Sequence, residues 1–112
     1  MCRVVLDPGV LIAALISSQG APRALLRAWI DGAFELLVSP DLRAELRRVL
    51  ERPNFRRYAS ERDVRAYVAL LERFATLCAD ADSPPRLSPD PGDDYLLALA
   101  HSQSADFLIR TH

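Results

Sequence analysis

The chain has 112 residues, half of them hydrophobic, and its 14 basic and 15 acidic residues give a net charge of −1. A chain of this size buries one modest core, so we expect a single domain over residues 1–112. The balanced charge excludes attraction of a polyanion by the overall field, so any binding of nucleic acid must depend on a local surface. All the basic residues are arginine, which excludes mechanisms that need a lysine.

Cysteine usage and hydropathy indicate the cellular compartment in which the protein functions. Cys2 and Cys78 are too few and too far apart for a disulfide framework or a Cys-x-x-Cys zinc site. The N-terminal apolar run is broken at Asp7, Pro8 and Gly9, which is not typical of a signal peptide, and no apolar run approaches the ~20 residues needed to cross a bilayer. The sequence therefore predicts a soluble, cytoplasmic protein.

Two strands, each followed by helical sequence, are predicted in the first half of the chain. The run "RVVL" is apolar and β-branched without alternation, which is typical of a strand buried on both faces. Asp7 before Pro8, and Ser39 before Pro40, each match a helix N-cap with proline at the first helical position. The predicted elements are a strand at 3–6, a helix from Pro8 to about Ser17, a helix from about Pro22 to Asp31, a strand at 34–39 and a helix from Pro40 to about Glu51.

The second half of the chain continues the alternation of helix and strand. Pro53 and Asn54 end the preceding helix, and Ser60 begins the longest one, with Asp63 in a short variant of the capping box. The elements predicted after it are a short strand around Leu77 to Ala79, a loop at 80–94, a helix at 95–104 and a last strand at 106–110. This order predicts a parallel α/β sheet. Because no helix follows the last strand, we expect either a truncated chain or a partner on that flank.

Apolar residues at helical spacing define the expected core faces of the helices. In the second helix these are Leu25, Leu26, Trp29 and Ile30, in the third Leu42, Leu46, Val49 and Leu50, and in the longest Val64, Tyr67, Val68, Leu71 and Phe74. The other tyrosines and phenylalanines also fall at core spacing. We therefore assign no base-stacking role to the aromatic residues.

Acidic residues follow the strands in a pattern that suggests a site. Ligands of open parallel sheets bind beyond the carboxyl ends of the strands. Asp7 directly follows the first strand, Glu45 is the acid nearest the buried stripe of its helix, Asp93 and Asp94 precede the next helix, and His112 follows the last strand. Clustered carboxylates repel one another unless a hard cation such as Mg²⁺ or Mn²⁺ binds them. Metal-assisted hydrolysis of a phosphodiester is the chemistry that such a site suggests.

Each of these acids also has a purely structural interpretation. Asp7 as a helix N-cap alone would contribute ~1 kcal/mol. Glu45 would be a surface residue paired with a neighbouring arginine. Asp93 and Asp94 would complement the dipole of the following helix. No single acid distinguishes the two interpretations.

Arginines crowd the middle third of the chain and raise a similar choice. A stripe of arginines binds phosphate groups, whereas Asp41, Glu45, Glu51, Glu61 and Asp63, interleaved with them, favour a salt-bridged surface. We expect the salt-bridged surface. The arginines concerned are Arg43, Arg47, Arg48, Arg52, Arg56, Arg57, Arg62 and Arg65.

Three stretches together resemble the PIN-domain family, in its branch of VapC-like toxin components of toxin–antitoxin pairs. These stretches are "VVLDPGVLIAAL", "FELLVSPDLRAELRRVLERP" and "SPDPGDDYLLALAHSQSADFLIRTH". The resemblance runs from residue 3 to the C-terminus. It implies a Rossmann-like three-layer α/β fold with a central parallel sheet flanked by helices, here lacking the C-terminal helix and strand. It also implies an endoribonuclease that uses Mg²⁺ or Mn²⁺, an RNA substrate, a cognate antitoxin and self-association as a homodimer.

The resemblance also implies roles for individual residues. Asp7 matches the first acid of the family, Glu45 the second and Asp94 the third, with Asp93 beside it in the same motif. These four would be the metal ligands, and the first three the catalytic residues. Glu45 would act either as a ligand or as a base that orients the attacking water.

The sequence departs from the family pattern in ways that bear on activity. The family usually has a polar side chain where Gly9 stands and a fourth acid where His112 stands, and its members usually continue through a further helix and strand. These departures favour an alternative function, a catalytically impaired PIN-like module that binds an antitoxin or a second copy of itself. A receiver or haloacid-type phosphatase is excluded, because the first needs a lysine and the second an acid at Gly9.

Overall fold

The computed structural model describes residues 1–80 and 94–110, and within them helices and parallel strands alternate. The first and second strands each lead into a helix after a single residue. The elements are β1 (Arg3–Leu6), α1 (Pro8–Ile16), α2 (Ala21–Ile30), β2 (Glu35–Val38), α3 (Pro40–Leu50), a 3₁₀ helix (Pro53–Arg57), α4 (Glu61–Phe74), β3 (Thr76–Leu77), α5 (Asp94–Ser102) and β4 (Phe107–Ile109).

The sheet has the strand order β3-β2-β1-β4, with every pair parallel. Val4 of β1 lies opposite Leu36 of β2 and Phe107 of β4, so β1 is a central strand. The right-handed connection that parallel strands nearly always have, applied to this strand order, puts α1 to α4 on one face of the sheet and α5 on the other. Contacts agree with this arrangement, since α1 packs on α2 and α3 whereas α5 packs on β1 and β4. The predicted three-layer α/β architecture is confirmed.

Side-chain caps fix where three of the helices begin. Asp7 Oδ1 accepts a hydrogen bond from the Val10 amide at 2.8 Å, and Ser39 Oγ accepts one from the Leu42 amide at 3.2 Å. Ser60 Oγ likewise accepts from the Asp63 amide at 3.0 Å. All three predicted caps are confirmed, and each satisfies a backbone donor that a helix leaves unpaired at its start.

Helix α1 is held by side chains from two other helices. The buried Tyr67 of α4 donates its hydroxyl hydrogen to the Leu11 carbonyl at 2.7 Å. Arg23 of α2 donates to the Ser17 and Leu15 carbonyls at 3.0 and 3.1 Å, which pairs acceptors at the end of α1. These contacts fix the position of α1 and therefore of the residue that begins it.

Some sequence predictions differ from the structure. Strand β3 lies at Thr76–Leu77, ahead of the predicted position at Leu77 to Ala79, and the 3₁₀ helix at Pro53–Arg57 was not predicted. Two predicted core residues, Ile30 and Phe74, are 56% and 62% exposed. Each is the last residue of its helix, where the chain turns away from the core. Helical periodicity predicts which face of a helix is buried but not where along the helix the burial ends.

Two other aromatic residues that were predicted to lie at core spacing are also exposed. Tyr58 and Phe107 are each 58% exposed, because Tyr58 ends the 3₁₀ helix and Phe107 lies on the outermost strand of the described sheet. Both cysteines are free. Within residues 1–80 and 94–110, no single helix has the length and hydropathy to cross a bilayer, and α1 and α2 meet that test only together, across a bend of 92°.

Substituting Tyr67 tests the anchor on α1. We expect Tyr67→Phe to lower the free energy of unfolding by about 1 kcal/mol at neutral pH, because one buried hydrogen bond is lost. Burial raises the pKa of Tyr67 above its usual range, opposed by the nearby Arg23. Above about pH 10 the unfolded chain therefore ionises Tyr67 before the native protein does, and this part of the wild-type stability declines. Urea denaturation of the wild type and of Tyr67→Phe at neutral and alkaline pH measures the difference between their free energies of unfolding. This difference should become smaller as the pH rises.

Tyr58→Phe is the matched control for this experiment, because Tyr58 is exposed. Its unfolding free energy should stay within about 0.5 kcal/mol of the wild-type value. An equal loss of stability in the two variants would contradict the anchoring role of Tyr67.

Candidate active site at the carboxyl edge of the sheet

Asp7 lies where the central strand β1 ends and α1 begins. Its amide donates to the Ile109 carbonyl at 3.0 Å, which joins the ends of β1 and β4. Its carboxylate caps α1 and is only 8% exposed. Pro8, at the first helical position, has no amide hydrogen to leave unpaired. The local sequence therefore holds a buried carboxylate at the carboxyl edge of the sheet.

Glu45 reaches the same edge from α3 through a contact with α5. It is partly buried, whereas Asp41 on the same helix and Glu51 just after it are exposed. The Tyr95 hydroxyl donates to Glu45 Oε2. Because α3 and α5 cover opposite faces of the sheet, this hydrogen bond joins the two helical layers.

The first residue of α5 is Asp94, which is the residue before Tyr95. The Tyr95–Glu45 hydrogen bond therefore brings the second turn of α3 next to the start of α5. The side chain of Asp94 lies outside the description, as do Asp93 and His112 entirely. Of the predicted site residues, the structure thus places the side chains of Asp7 and Glu45 and the backbone of Asp94.

Two residues of this edge were missed by sequence reasoning. Tyr95 looked like one more apolar position in "YLLALA", and nothing in its spacing indicates a partner on α3. Asp80 lies beyond β3 in a segment predicted to be loop, and its Oδ1 accepts from the Asp41 amide at 3.1 Å. It thereby ties the chain leaving β3 to the start of α3. The several aspartates of this loop indicate that one of them could accept a backbone hydrogen bond, but they do not indicate which amide donates it.

The oxygen donors of the described site residues are of the chemical type that a hard cation binds. Asp7 and Glu45 offer carboxylate oxygens, which Mg²⁺ and Mn²⁺ prefer to nitrogen or sulfur. Within residues 1–80 and 94–110 no group of three or more Asp, Glu, His or Cys side chains is placed to hold a metal ion. A complete metal site would therefore need donors beyond the described side chains, and Asp93 and Asp94 are the ones predicted from the sequence.

Comparison with known proteins agrees with the fold. A family model described as a PIN domain matches residues 3–111, and the chain belongs to the PIN-domain family. The crystal structure of Mycobacterium tuberculosis VapC20, a sarcin-ricin loop cleaving toxin, superposes with a TM-score of 0.62 at 13% sequence identity, covering 97% of this chain and 89% of that one. At that identity the likeness shows a shared fold. No curated protein matches the chain.

Two substitutions at Asp7 separate capping from any other role of its carboxylate. Asp7→Ala removes the acceptor for the Val10 amide, so we expect the free energy of unfolding to fall by about 1 kcal/mol. Asp7→Asn keeps an acceptor that caps a helix equally well, and its stability should stay near that of the wild type. Urea denaturation of the three proteins checks this ranking. If the Asn variant lost as much stability as the Ala variant, capping would not be the structural role of Asp7.

Proposed function

We propose that this protein is a metal-dependent endoribonuclease of the PIN type and the toxin component of a type II toxin–antitoxin system. The observation that carries the proposal is the Tyr95–Glu45 hydrogen bond, which brings α3 next to the start of α5. Asp7 ends the central strand, and Tyr95 joins Glu45 to the start of α5, where Asp94 lies. Membership of the PIN-domain family supports hydrolysis of RNA as the reaction.

Each acidic residue has a proposed role in this reaction. Asp7, Asp93 and Asp94 would hold Mg²⁺ or Mn²⁺, which when bound would offset the negative charge of the phosphodiester and make water more acidic. Glu45 is a further ligand or the base that takes the proton from the attacking water. The Tyr95 hydroxyl restricts the Glu45 carboxylate to one orientation, which favours either role.

The proposed partners follow from the proposed class of protein. The substrate is RNA, a cognate antitoxin restrains the toxin, and a second copy of the chain pairs with it as a homodimer. The fold shared with VapC20, which is described as a toxin that cleaves the sarcin-ricin loop, supports the toxin role. We place the protein in the cytoplasm, because its proposed substrate is there.

Amide substitutions of the site acids test the proposal. The wild type should cleave RNA with Mg²⁺ or Mn²⁺ and lose cleavage when EDTA removes the metal. We expect Asp7→Asn, Glu45→Gln and Asp94→Asn each to lower the rate of cleavage at least about 100-fold, since each removes a negative charge from the metal site. Gel analysis of a labelled RNA measures the rates.

Asp31→Asn is the matched control for the cleavage assay. Asp31 is an exposed residue just after α2, so this variant should cleave at the wild-type rate. The assay must use preparations shown to be free of host nuclease. Full activity in Asp7→Asn and Asp94→Asn would overturn the proposed catalytic role.

A second candidate function is a PIN domain without catalysis that binds an antitoxin or a second copy of the chain. One specific observation favours it. The first turn of α1 has no acidic residue, and Gly9 offers no side chain beside Asp7. A nuclease site built on this edge would therefore have fewer polar groups around the metal than the family usually provides.

Titration calorimetry with Mn²⁺ distinguishes the two candidates. If the domain is a nuclease, Mn²⁺ should bind the wild-type protein, and Asp7→Asn should weaken that binding at least about tenfold by removing a charged ligand. The Asp31→Asn variant should bind as the wild type does. Absence of carboxylate-dependent binding would favour the binding module.

A further inference from the structure

Basic charge is concentrated in one segment of the chain. Residues 43–65 contain eight arginines and four acidic residues, a net charge of +4 within a chain whose net charge is −1. The rest of the chain is therefore acidic, with a net charge of −5. In the structure this segment comprises most of α3, the 3₁₀ helix and the start of α4.

Three arginines of the segment are used internally. Arg43 and Arg47 each lie 3.8 Å from Glu72 of α4, and Arg47 also lies 3.4 Å from Glu51. Arg56 donates to the Leu50 carbonyl at the end of α3. The salt-bridged surface predicted from the sequence is thus confirmed for the Arg47–Glu51 pair, whereas Glu72, the other partner of Arg47 and the partner of Arg43, was not among the acids predicted to pair.

The other five arginines of the segment are exposed. Within the part of the chain that the structure describes, none of them forms an ion pair. We call these five residues the arginine surface. They are Arg48, Arg52, Arg57, Arg62 and Arg65.

The arginine surface begins beside the candidate active site. Arg48 lies three residues after Glu45 on α3, so the two share a helix face with a rise of about 4.5 Å between them. The Glu45 carboxylate accepts from Tyr95 rather than from Arg48. Arg48 is therefore a cation next to the site whose charge is not neutralised by its acidic neighbour on the helix.

The charge of the site makes such a surface necessary for binding RNA. An edge that carries Asp7 and Glu45 repels a polyanion, and a net charge of −1 gives no general attraction. Arginine is always charged, and its planar group pairs with two oxygens of a phosphate at once. Exposed arginines, of which Arg48 lies next to Glu45, supply an attraction that the site itself cannot.

We propose that the arginine surface binds the sugar-phosphate backbone of single-stranded RNA next to the bond to be cleaved, with Arg48 contacting a phosphate nearest the site. The proposal rests on the proposed function only in taking RNA as the ligand. An acidic protein segment is the other ligand that suits exposed arginines, and the experiment below separates the two.

The test compares two double variants that each lose two exposed positive charges. Arg48→Gln/Arg52→Gln changes the arginine surface, and Arg27→Gln/Arg73→Gln changes exposed arginines on α2 and at the end of α4. Glutamine keeps the helix propensity of arginine, and circular dichroism confirms folding. Binding of a labelled mixed-sequence single-stranded RNA is measured by fluorescence anisotropy in EDTA, over a range of salt concentrations.

We expect the surface variant to bind RNA about tenfold more weakly than the wild type at low salt. Its slope of log affinity against log salt should be shallower by about 1.4, the value for two lost contacts to single-stranded RNA. The control variant should differ from the wild type by less than about twofold. Equal weakening in the two variants would overturn the proposal, because it would reflect net charge alone.

Two further measurements separate the remaining outcomes. If the surface variant keeps wild-type affinity for RNA but loses affinity for polyglutamate, the ligand is an acidic protein segment and the proposal is overturned. The Asp31→Asn variant should bind RNA as the wild type does, since Asp31 lies outside both the candidate site and the arginine surface. RNA binding that depends on this surface in a protein without cleavage activity would support the surface and overturn the nuclease function.

Discussion

Asp7 is the residue on which the geometry of this domain depends most. Its amide pairs with β4, its carboxylate begins α1, and its place at the end of β1 brings it to the carboxyl edge of the sheet. A buried carboxylate is costly unless polar groups satisfy it. The cap on the Val10 amide meets part of that requirement in the folded protein. Capping and any metal chemistry are therefore compatible roles of one side chain, because both need its oxygens at the start of a helix.

The parallel topology explains why residues distant in sequence meet at this edge. Every strand of a parallel sheet ends on the same side, and here the order β3-β2-β1-β4 puts the two most buried strands in the middle. The crossover to β4 runs the opposite way from the earlier crossovers, so α5 covers the other face. Glu45 and Tyr95 thus approach from two layers, and their hydrogen bond closes the edge between α3 and α5.

Local signals were sufficient for much of the fold and part of the site. Asp7, Ser39 and Ser60 were identified as caps because each accepts a hydrogen bond from an amide only three residues later in the sequence. Tyr95 was not recognised, because its partner lies 50 residues away and only the packing of α5 reveals it. Phe74 was wrongly assigned to the core, since periodicity defines a helix face but not how far the core extends along it. Strand β3 was misplaced for a related reason, as a two-residue strand leaves almost no pattern of its own.

Charge is distributed in this chain so that the carboxylates of the candidate site and the arginines of the proposed RNA-binding surface fall in different places. A metal site needs carboxylates, and carboxylates repel the phosphates of a substrate at longer range. Adding cations inside such a site would compete with the metal for the same oxygens. In the proposed arrangement Arg48 lies one helical turn beyond Glu45 on α3, which avoids that competition and leaves Arg48 able to contact an RNA strand bound at the site. Arg47 pairs with Glu72 between α3 and α4, whereas the five residues of the arginine surface form no ion pair within the described residues and are available to a ligand. The salt bridges and the arginine surface are thus complementary features of one helical hairpin.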